Sequence, residues 1–302
     1  MKLSPTRKAI LALIIANIIW GAAPPIFKWA LRDIHPFTLG ILRFGIASLI
    51  YLPFALPKLY VKPKDFFKLI LIGFFGIFVN IAFFFLGLPY APSINASIIG
   101  SAGPIFIILA TMYIVRHKVK RKIILGAYVG LLGVLVLIFV PLIRSGIQIA
   151  AVGNAFFIIS VLGTVIQTMI ARRMLKKYDS MPVTFWSFFI GTLFFVPFFI
   201  NEVHTYGFLP NLGYQGIIGI LFGTLLSSTI AYHLYYWSLK YLHATEVSVF
   251  VYMDPVIAIL LAGPLLGEHP DFTFLIGSVL VFGGIFIAEG RLHWHPLHLL
   301  HK

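Results

Sequence analysis

Runs of about 20 apolar residues, separated by short polar stretches, fill this chain almost from end to end. At 1.5 Å of rise per residue, a helix of that length matches the roughly 30 Å hydrocarbon layer of a bilayer. Inside a bilayer only helices and closed barrels satisfy every backbone N–H and C=O, and these runs lack the alternation of barrel strands. The pattern therefore predicts ten transmembrane helices, at about Ala9–Leu31, Phe37–Leu56, Phe66–Leu88, Ser93–Val115, Ile123–Val140, Ile149–Ala171, Met181–Ile200, Leu212–Leu239, Thr245–Leu266 and Phe272–Ala288. No soluble domain, long linker or low-complexity segment interrupts them.

Composition and charge agree with that reading. Of the 302 residues 60% are hydrophobic and only 11% charged, too little charge for a soluble domain of this length. The net charge of +14 does not indicate nucleic acid, because the basic residues form short clusters between apolar runs and build no basic domain. With the N-terminus in the cytoplasm, nineteen of the 23 Lys and Arg face inward, Arg32 and Arg144 face outward, and Lys28 and Arg43 lie within spans. This is the positive-inside bias of a multi-pass plasma-membrane protein with both termini cytoplasmic. The start, "MKLSPTRKAILALIIANIIWGAA", has the basic and apolar regions of a signal peptide, but its apolar stretch continues to Leu31 and reads as an uncleaved first helix. The absence of cysteine rules out disulfides, thiol catalysis and thiolate metal sites.

The chain also repeats itself. A shift of 151 residues superimposes Tyr90 on Tyr241, Ser97 on Ser248, Pro104 on Pro255, Gly126 on Gly277 and Gly133 on Gly284, without a gap. Spans three to five match eight to ten; spans one and two match six and seven only loosely. Five is an odd number of crossings, so consecutive copies point in opposite directions. The loops follow suit: "VRHKVKRK" after span four is basic, and its counterpart "GEHPD" has no Lys or Arg. The expected fold is an all-α integral membrane protein, ten transmembrane helices in two inverted five-helix repeats, 1–145 and 146–302, the second with a short His-rich tail. Inverted repeats of this kind build many secondary transporters, with the solute site near the midplane.

Several stretches carry a family resemblance: "WGAAPPIFKWAL", "HPFTLGILRFGIASLI", "GLPYAPSINASIIGSAGPIF" and "SLKYLHATEVSVFVYMDPVIAILLAGPLLGEHPDFTFLIGSVLVFGGIFI". Together they resemble the drug/metabolite transporter superfamily, in particular its EamA-type exporters, over nearly the whole chain. The resemblance implies that spans one to four and their repeat mates enclose a central cavity, with spans five and ten peripheral. One departure stands out. The family often ends its fourth span on a glutamate, as Glu268 follows the ninth span here, but the matching position reads "VRHKV". A symmetrical role for the glutamate is therefore not implied.

Some residues inside the runs are costly in lipid and need a reason. Pro24 and Pro25 remove two helix donors in span one; they read as a break lining a pathway, with a packing kink as the alternative. Pro104 and Pro255 are the other hinge candidates. Lys28 lies near the end of its span and either snorkels or faces the cavity; Arg43, about 10 Å deep at helical rise, is harder to snorkel. Two cations in one half favour a carboxylate-bearing or otherwise anionic solute group. Asp254, in the middle of span nine, reads as a counter-ion to Arg43 or Lys28, with a proton relay or a site for a substrate amine as its other roles. His233 reads as a hydrogen-bonded core histidine, with a proton relay as the alternative. Trp20, Asn80, Asn95, Ser101, Gln167, Trp186, Tyr232, Tyr235, Ser248 and Tyr252 complete the candidate cavity, although such residues also simply bond neighbouring helices.

No phosphate-binding glycine loop and no nucleophile–base–acid set is present, so neither intrinsic ATP-driven transport nor membrane enzymology is favoured. The tail "HWHPLHLLH" lacks a rigid ligand geometry, and no metal or other cofactor is expected. The sequence reads as a secondary transporter of small polar metabolites, first as an amino acid exporter, working by alternating access. It would be a monomer or weak homodimer whose partners are the solute and the bilayer, with proton coupling as an option. The competing readings are a nucleotide-sugar or phosphorylated-metabolite exchanger of the same superfamily, a polytopic membrane enzyme, and a scramblase or channel.

Overall fold

Helices start where backbone chemistry permits rather than where the apolar runs begin. In the computed structural model, which describes residues 4–113, 120–145, 149–209, 212–238, 241–242 and 250–289, α1 (Pro5–Ala30), α2 (Pro36–Ala55) and α3 (Pro63–Leu71) all start on a proline. Proline's missing N–H costs nothing in a first turn. Ser4 caps α1, its Oγ accepting from the Arg7 backbone N–H at 3.3 Å. The hydrophobic pattern, which weighs neither caps nor prolines, puts these starts one to four residues too late.

The described residues are helical and contain no strand. Pro5–Ala30, Pro36–Lys58, Pro63–Gly87, Ser93–Ala110, Arg121–Val140, Ile149–Met174, Ser180–Tyr206 and Tyr214–Tyr235 are long and apolar enough to cross a membrane, eight candidates among the described residues. Two further apolar helices, Val251–Leu266 and Phe272–Ala288, are shorter. The expected ninth span starts at Thr245, and residues 245–249 lie outside the described residues.

Four of these ten stretches depart from a plain α-helix. α3 passes into a π-helical segment, Ile72–Val79, and then into α4 (Asn80–Gly87). α10 (Tyr214–Leu221) passes likewise through Phe222–Ile230 into α11 (Ala231–Ser238). α5 (Ser93–Ser101) and α6 (Gly103–Tyr113) are separated by Ala102 alone, beside Pro104. Similarly, α12 (Asp254–Leu266) is entered through one 3₁₀ turn, Val251–Met253, with Pro255 in its first turn. Shifted by 151 residues, the first π segment falls on 223–230 and Gly103, the start of α6, falls on Asp254, the start of α12.

Span one does not open as expected: α1 is continuous through Pro24 and Pro25, both buried. α12 and α11 pack along it, which confines the segment that two missing donors would otherwise loosen.

The remaining helices are α7 (Arg121–Ser145), α8 (Ile149–Met174), α9 (Ser180–Tyr206) and α13 (Phe272–Glu289). α7 and α13 lie against each other along their length. A Cβ built on Gly133 would sit 2.7 Å from the Gly277 carbonyl oxygen, and one on Gly284 would sit 2.5 Å from the Gly126 carbonyl oxygen. The two backbones are therefore in direct contact and antiparallel, an approach that only residues without a side chain permit.

Candidate functional site

Arg43 stands at the centre of a polar group among the apolar helices. It projects from α2 and is 4% exposed. Its Nε donates to Ser228 Oγ and its Nη2 to Ser227 Oγ, each at 2.9 Å. The Phe27 and Phe44 rings lie 4.8 and 4.6 Å from its Cζ, presenting π faces to the cation. Both serines belong to the π-helical segment between α10 and α11. Two carbonyls of that segment are taken up by neighbours: Ser227 O accepts from Trp20 Nε1 and Thr229 O from Tyr51 OH, each at 3.1 Å. Trp20 packs on Tyr232 and Tyr235, with 5.3 Å between ring centroids in both cases. Arg43, Trp20, Tyr232 and Tyr235, four residues expected from the sequence, are thus brought together.

The other expected cavity residues lie apart from this group. Asn80 bonds Thr164 across α4 and α8, and Gln167 fills the space over Gly76. Asn95 Nδ2 donates to Asn154 Oδ1 at 3.1 Å, and Asn154 Nδ2 donates to Leu137 O at 2.7 Å, tying three helices in a buried chain. Ser101 Oγ donates back to Ser97 O at 2.9 Å within α5. Trp186 sits at the end of the bundle, donating to Leu59 O at 3.1 Å. Tyr252 packs edge-on against Phe282. His233 is exposed rather than a core histidine. Ser248 lies outside the described residues. Two cavities, of about 360 and 170 Å³, open near Lys58 and Tyr178 and near Asp33 and His35; none of the expected cavity residues lines either.

The counter-ion expected of Asp254 is also not formed. Among the described residues no ion pair includes Asp254 or Arg43, and Lys28 pairs with Glu268 instead. Asp254 Oδ1 is buried without a hydrogen-bond partner among the described residues, while its backbone packs on Gly21 of α1. Because the two side chains share no ion pair, Arg43→Gln and Asp254→Asn should have additive effects on stability, within roughly 0.5 kcal/mol. Thermal melting of the two single variants and the double variant in detergent tests this. Recovery of stability in the double variant would restore the pair.

One end of the bundle is tied by carboxylates that the hydrophobic pattern did not flag. Glu202 of α9 accepts from the Thr38 N–H at 2.7 Å, the Thr38 hydroxyl at 2.9 Å and the Phe37 N–H at 3.1 Å, all at the start of α2. Asp33 accepts from the N–H groups of Gln215 and Gly216, at 3.0 and 3.2 Å, at the start of α10. Glu268 Oε2 accepts from the N–H and hydroxyl of Ser93, both at 2.7 Å, at the start of α5. Its Oε1 lies 2.8 Å from Lys28 Nζ, an ion pair without the directionality of a hydrogen bond, and Lys28 Nζ donates to Ala91 O at 2.7 Å. In each case an anion meets the unpaired N–H groups and positive dipole of a helix N-terminus. The opposite end is closed by Asp65, which accepts from Lys68 at 2.6 Å and Tyr178 at 3.0 Å and pairs with Lys177 at 3.3 Å. Ser227 and Ser228 had a signal in the sequence, the run "LSST" inside an apolar span, but the partner of such a run is visible only in three dimensions.

Comparison with known proteins places these features in a family. The EamA-like transporter family model matches twice, over residues 7–139 and 151–289. An uncharacterized transporter of Archaeoglobus fulgidus is 26% identical over 291 residues, covering 95% of this chain and 99% of that protein. The uncharacterized transporter YetK of Bacillus subtilis (strain 168) is 27% identical over 286 residues, covering 93% and 86% respectively. A solved crystal structure superimposes with a TM-score of 0.62 at 18% identity, over 95% of this chain and 99% of the other, a likeness of fold. With matches across nearly its whole length, this multi-pass membrane chain belongs to the EamA-like transporter family.

Proposed function

We propose that the protein is a secondary carrier of small polar metabolites, amino acids first, that exports its solute by alternating access. In this reading ten spans form two inverted five-helix repeats, 1–145 and 146–302, in the plasma membrane with both termini cytoplasmic. The observation that carries it is the reciprocity of the α7–α13 contact. Gly126 faces Gly284, and Gly133 faces Gly277, although the sequence superimposes Gly126 on Gly277 and Gly133 on Gly284. Contacts in which residue i meets the mate of j, and j meets the mate of i, belong to a two-fold axis. Support also comes from the π segments and helix starts that recur at the same offset, and from the double family match. A two-fold relation between two halves gives a carrier two equivalent ways to rock around a fixed site. The broken helices at Pro104 and Pro255 are the natural places for that motion, beside an α1 that runs unbroken through Pro24 and Pro25.

Two measurements test the proposal. Single cysteines replacing Lys118 and Pro270 should label from opposite faces of the membrane, with Lys118 reached from the cytoplasm; labelling from one face removes the inverted repeat. Purified protein in liposomes should give saturable, selective uptake of amino acids, recovered chemically unchanged. A modified product would indicate an enzyme, and preference for nucleotide sugars or phosphorylated solutes the exchanger.

A further inference from the structure

Arg43 is a buried cation with no acidic partner among the described residues. A guanidinium offers five N–H donors. Two are used, by Ser228 and Ser227, and Nη1 has no hydrogen-bond partner among the described residues. The flanking phenyl faces of Phe27 and Phe44 offset part of the cost of burying the charge, but π faces do not replace an anion in a medium of low dielectric. The serines are themselves unfinished. Each hydroxyl accepts from Arg43 and keeps its own O–H, which donates to no acceptor among the described residues, although both side chains are buried.

The local backbone explains how two consecutive residues come to serve one guanidinium. In an α-helix they would point about 100° apart. Ser227 and Ser228 lie in a π-helical segment, whose wider turn changes that angle, and the segment is braced by Trp20 and Tyr51 on its carbonyls. π-Helical turns inside helices recur at functional sites.

From this geometry we infer that Arg43, Ser227 and Ser228 form an anion-binding subsite that takes the carboxylate of a small solute. The inference rests on the carrier reading above and names the chemistry of its solute. A single guanidinium neutralises one negative charge, which suits a carboxylate better than a phosphate dianion. Its planar fork matches the two oxygens of a carboxylate, a feature a halide cannot use. Phe27 and Phe44 cover the guanidinium in the present conformation, so the solute reaches it when the bundle opens.

The test uses purified full-length protein and the proteinogenic amino acids as probes, each beside its carboxamide, with sodium chloride and sodium phosphate as further ligands. At least one amino acid should raise the melting temperature of the wild type while its carboxamide does not. Ser228→Ala and Arg43→Lys should each weaken that probe's apparent affinity by about tenfold, the equivalent of one charge-assisted hydrogen bond. Arg43→Gln should abolish the preference for acid over amide; if it fails to fold, the other two variants decide. The subsite is overturned if no amino acid exceeds its amide, if chloride or phosphate displaces the probe at equal concentration, or if Ser228→Ala and Arg43→Lys bind as the wild type does. Uptake of the same probe into liposomes separates the two claims. Uptake unchanged in both folded variants removes the subsite and leaves the carrier. Binding that depends on Arg43 without any wild-type uptake removes the carrier and leaves the subsite.

Discussion

Gly284→Leu should leave little folded protein, whereas Gly283→Ala, one residue away, should be neutral or mildly stabilising. A Cβ on Gly284 would meet the Gly126 carbonyl oxygen at 2.5 Å and the backbone of Gly130, and neither can rotate out of the way. Only separation of α7 from α13 relieves the clash, and separation gives up contacts along both helices. Overpacking a core that can adjust costs about 1–3 kcal/mol; here rigid backbone stands on both sides, so the cost lies at or beyond the upper figure. In a membrane this seam has little hydrophobic drive to replace the lost contact, because lipid chains are as apolar as leucine. A Cβ on Gly283 meets nothing within 4 Å, and replacing a helical glycine with alanine gains about 1 kcal/mol of helix propensity. Fluorescence-detected size exclusion after heating measures both variants. If Gly284→Leu melts with the wild type, the direct backbone contact does not exist, and the reciprocity argument for two inverted halves loses its basis.

The second large effect is expected at Lys28 and Glu268. Their side chains are 24% and 12% exposed, enough burial for the pair to escape most of the screening that makes surface ion pairs weak. Glu268→Ala strands the Lys28 ammonium and also removes the acceptor for two donors of Ser93. We expect a loss of about 3 kcal/mol, the lower end of the cost of orphaning one member of a buried pair. Lys28→Met should cost less, because Glu268 keeps Ser93 and the N-terminus of α5 as partners. The double variant Lys28→Met with Glu268→Ala should then be more stable than the sum of the single changes implies, with a coupling above about 0.5 kcal/mol. Thermal melts of the wild type, the two single variants and the double variant supply the cycle. Strict additivity would mean that the ion pair adds nothing to this end of the bundle. If transport requires this end to part, the double variant should also alter the rate of uptake more than its half-saturating concentration.

The carboxylate ties explain why parts of the site could not be read along the chain. Glu202, Asp33 and Glu268 each lie just beyond an apolar run, where an acidic residue is ordinarily an exposed loop residue. Their importance comes from the helix N-terminus placed opposite them, and sequence separations of 164, 182 and 175 residues hide that pairing. The same limit affected Asp254 and Arg43. Each is a costly charge in an apolar run, and burial alone suggested that they meet. In the fold, α2 directs Arg43 onto the serines of the crossing between α10 and α11, and Asp254 begins a helix that packs on α1.

What the sequence determined by itself is what depends on periodicity, composition and local chemistry. The length and density of the apolar runs require helices in a bilayer, because no other open structure satisfies the backbone there. The motifs spread over the chain pointed to the family, and Arg43, Trp20, Tyr232 and Tyr235 were recognisable because polar and aromatic groups deep in apolar runs are expensive or unusual. Tertiary structure alone decided partners and continuity. It kept α1 whole through Pro24 and Pro25 by packing it between α12 and α11, and it separated Asn80, Asn95 and Trp186 from the arginine. The physical reason is that a residue's desolvation cost is legible from its neighbours in sequence. The group that offsets that cost is selected by helix packing, which brings together atoms more than a hundred residues apart.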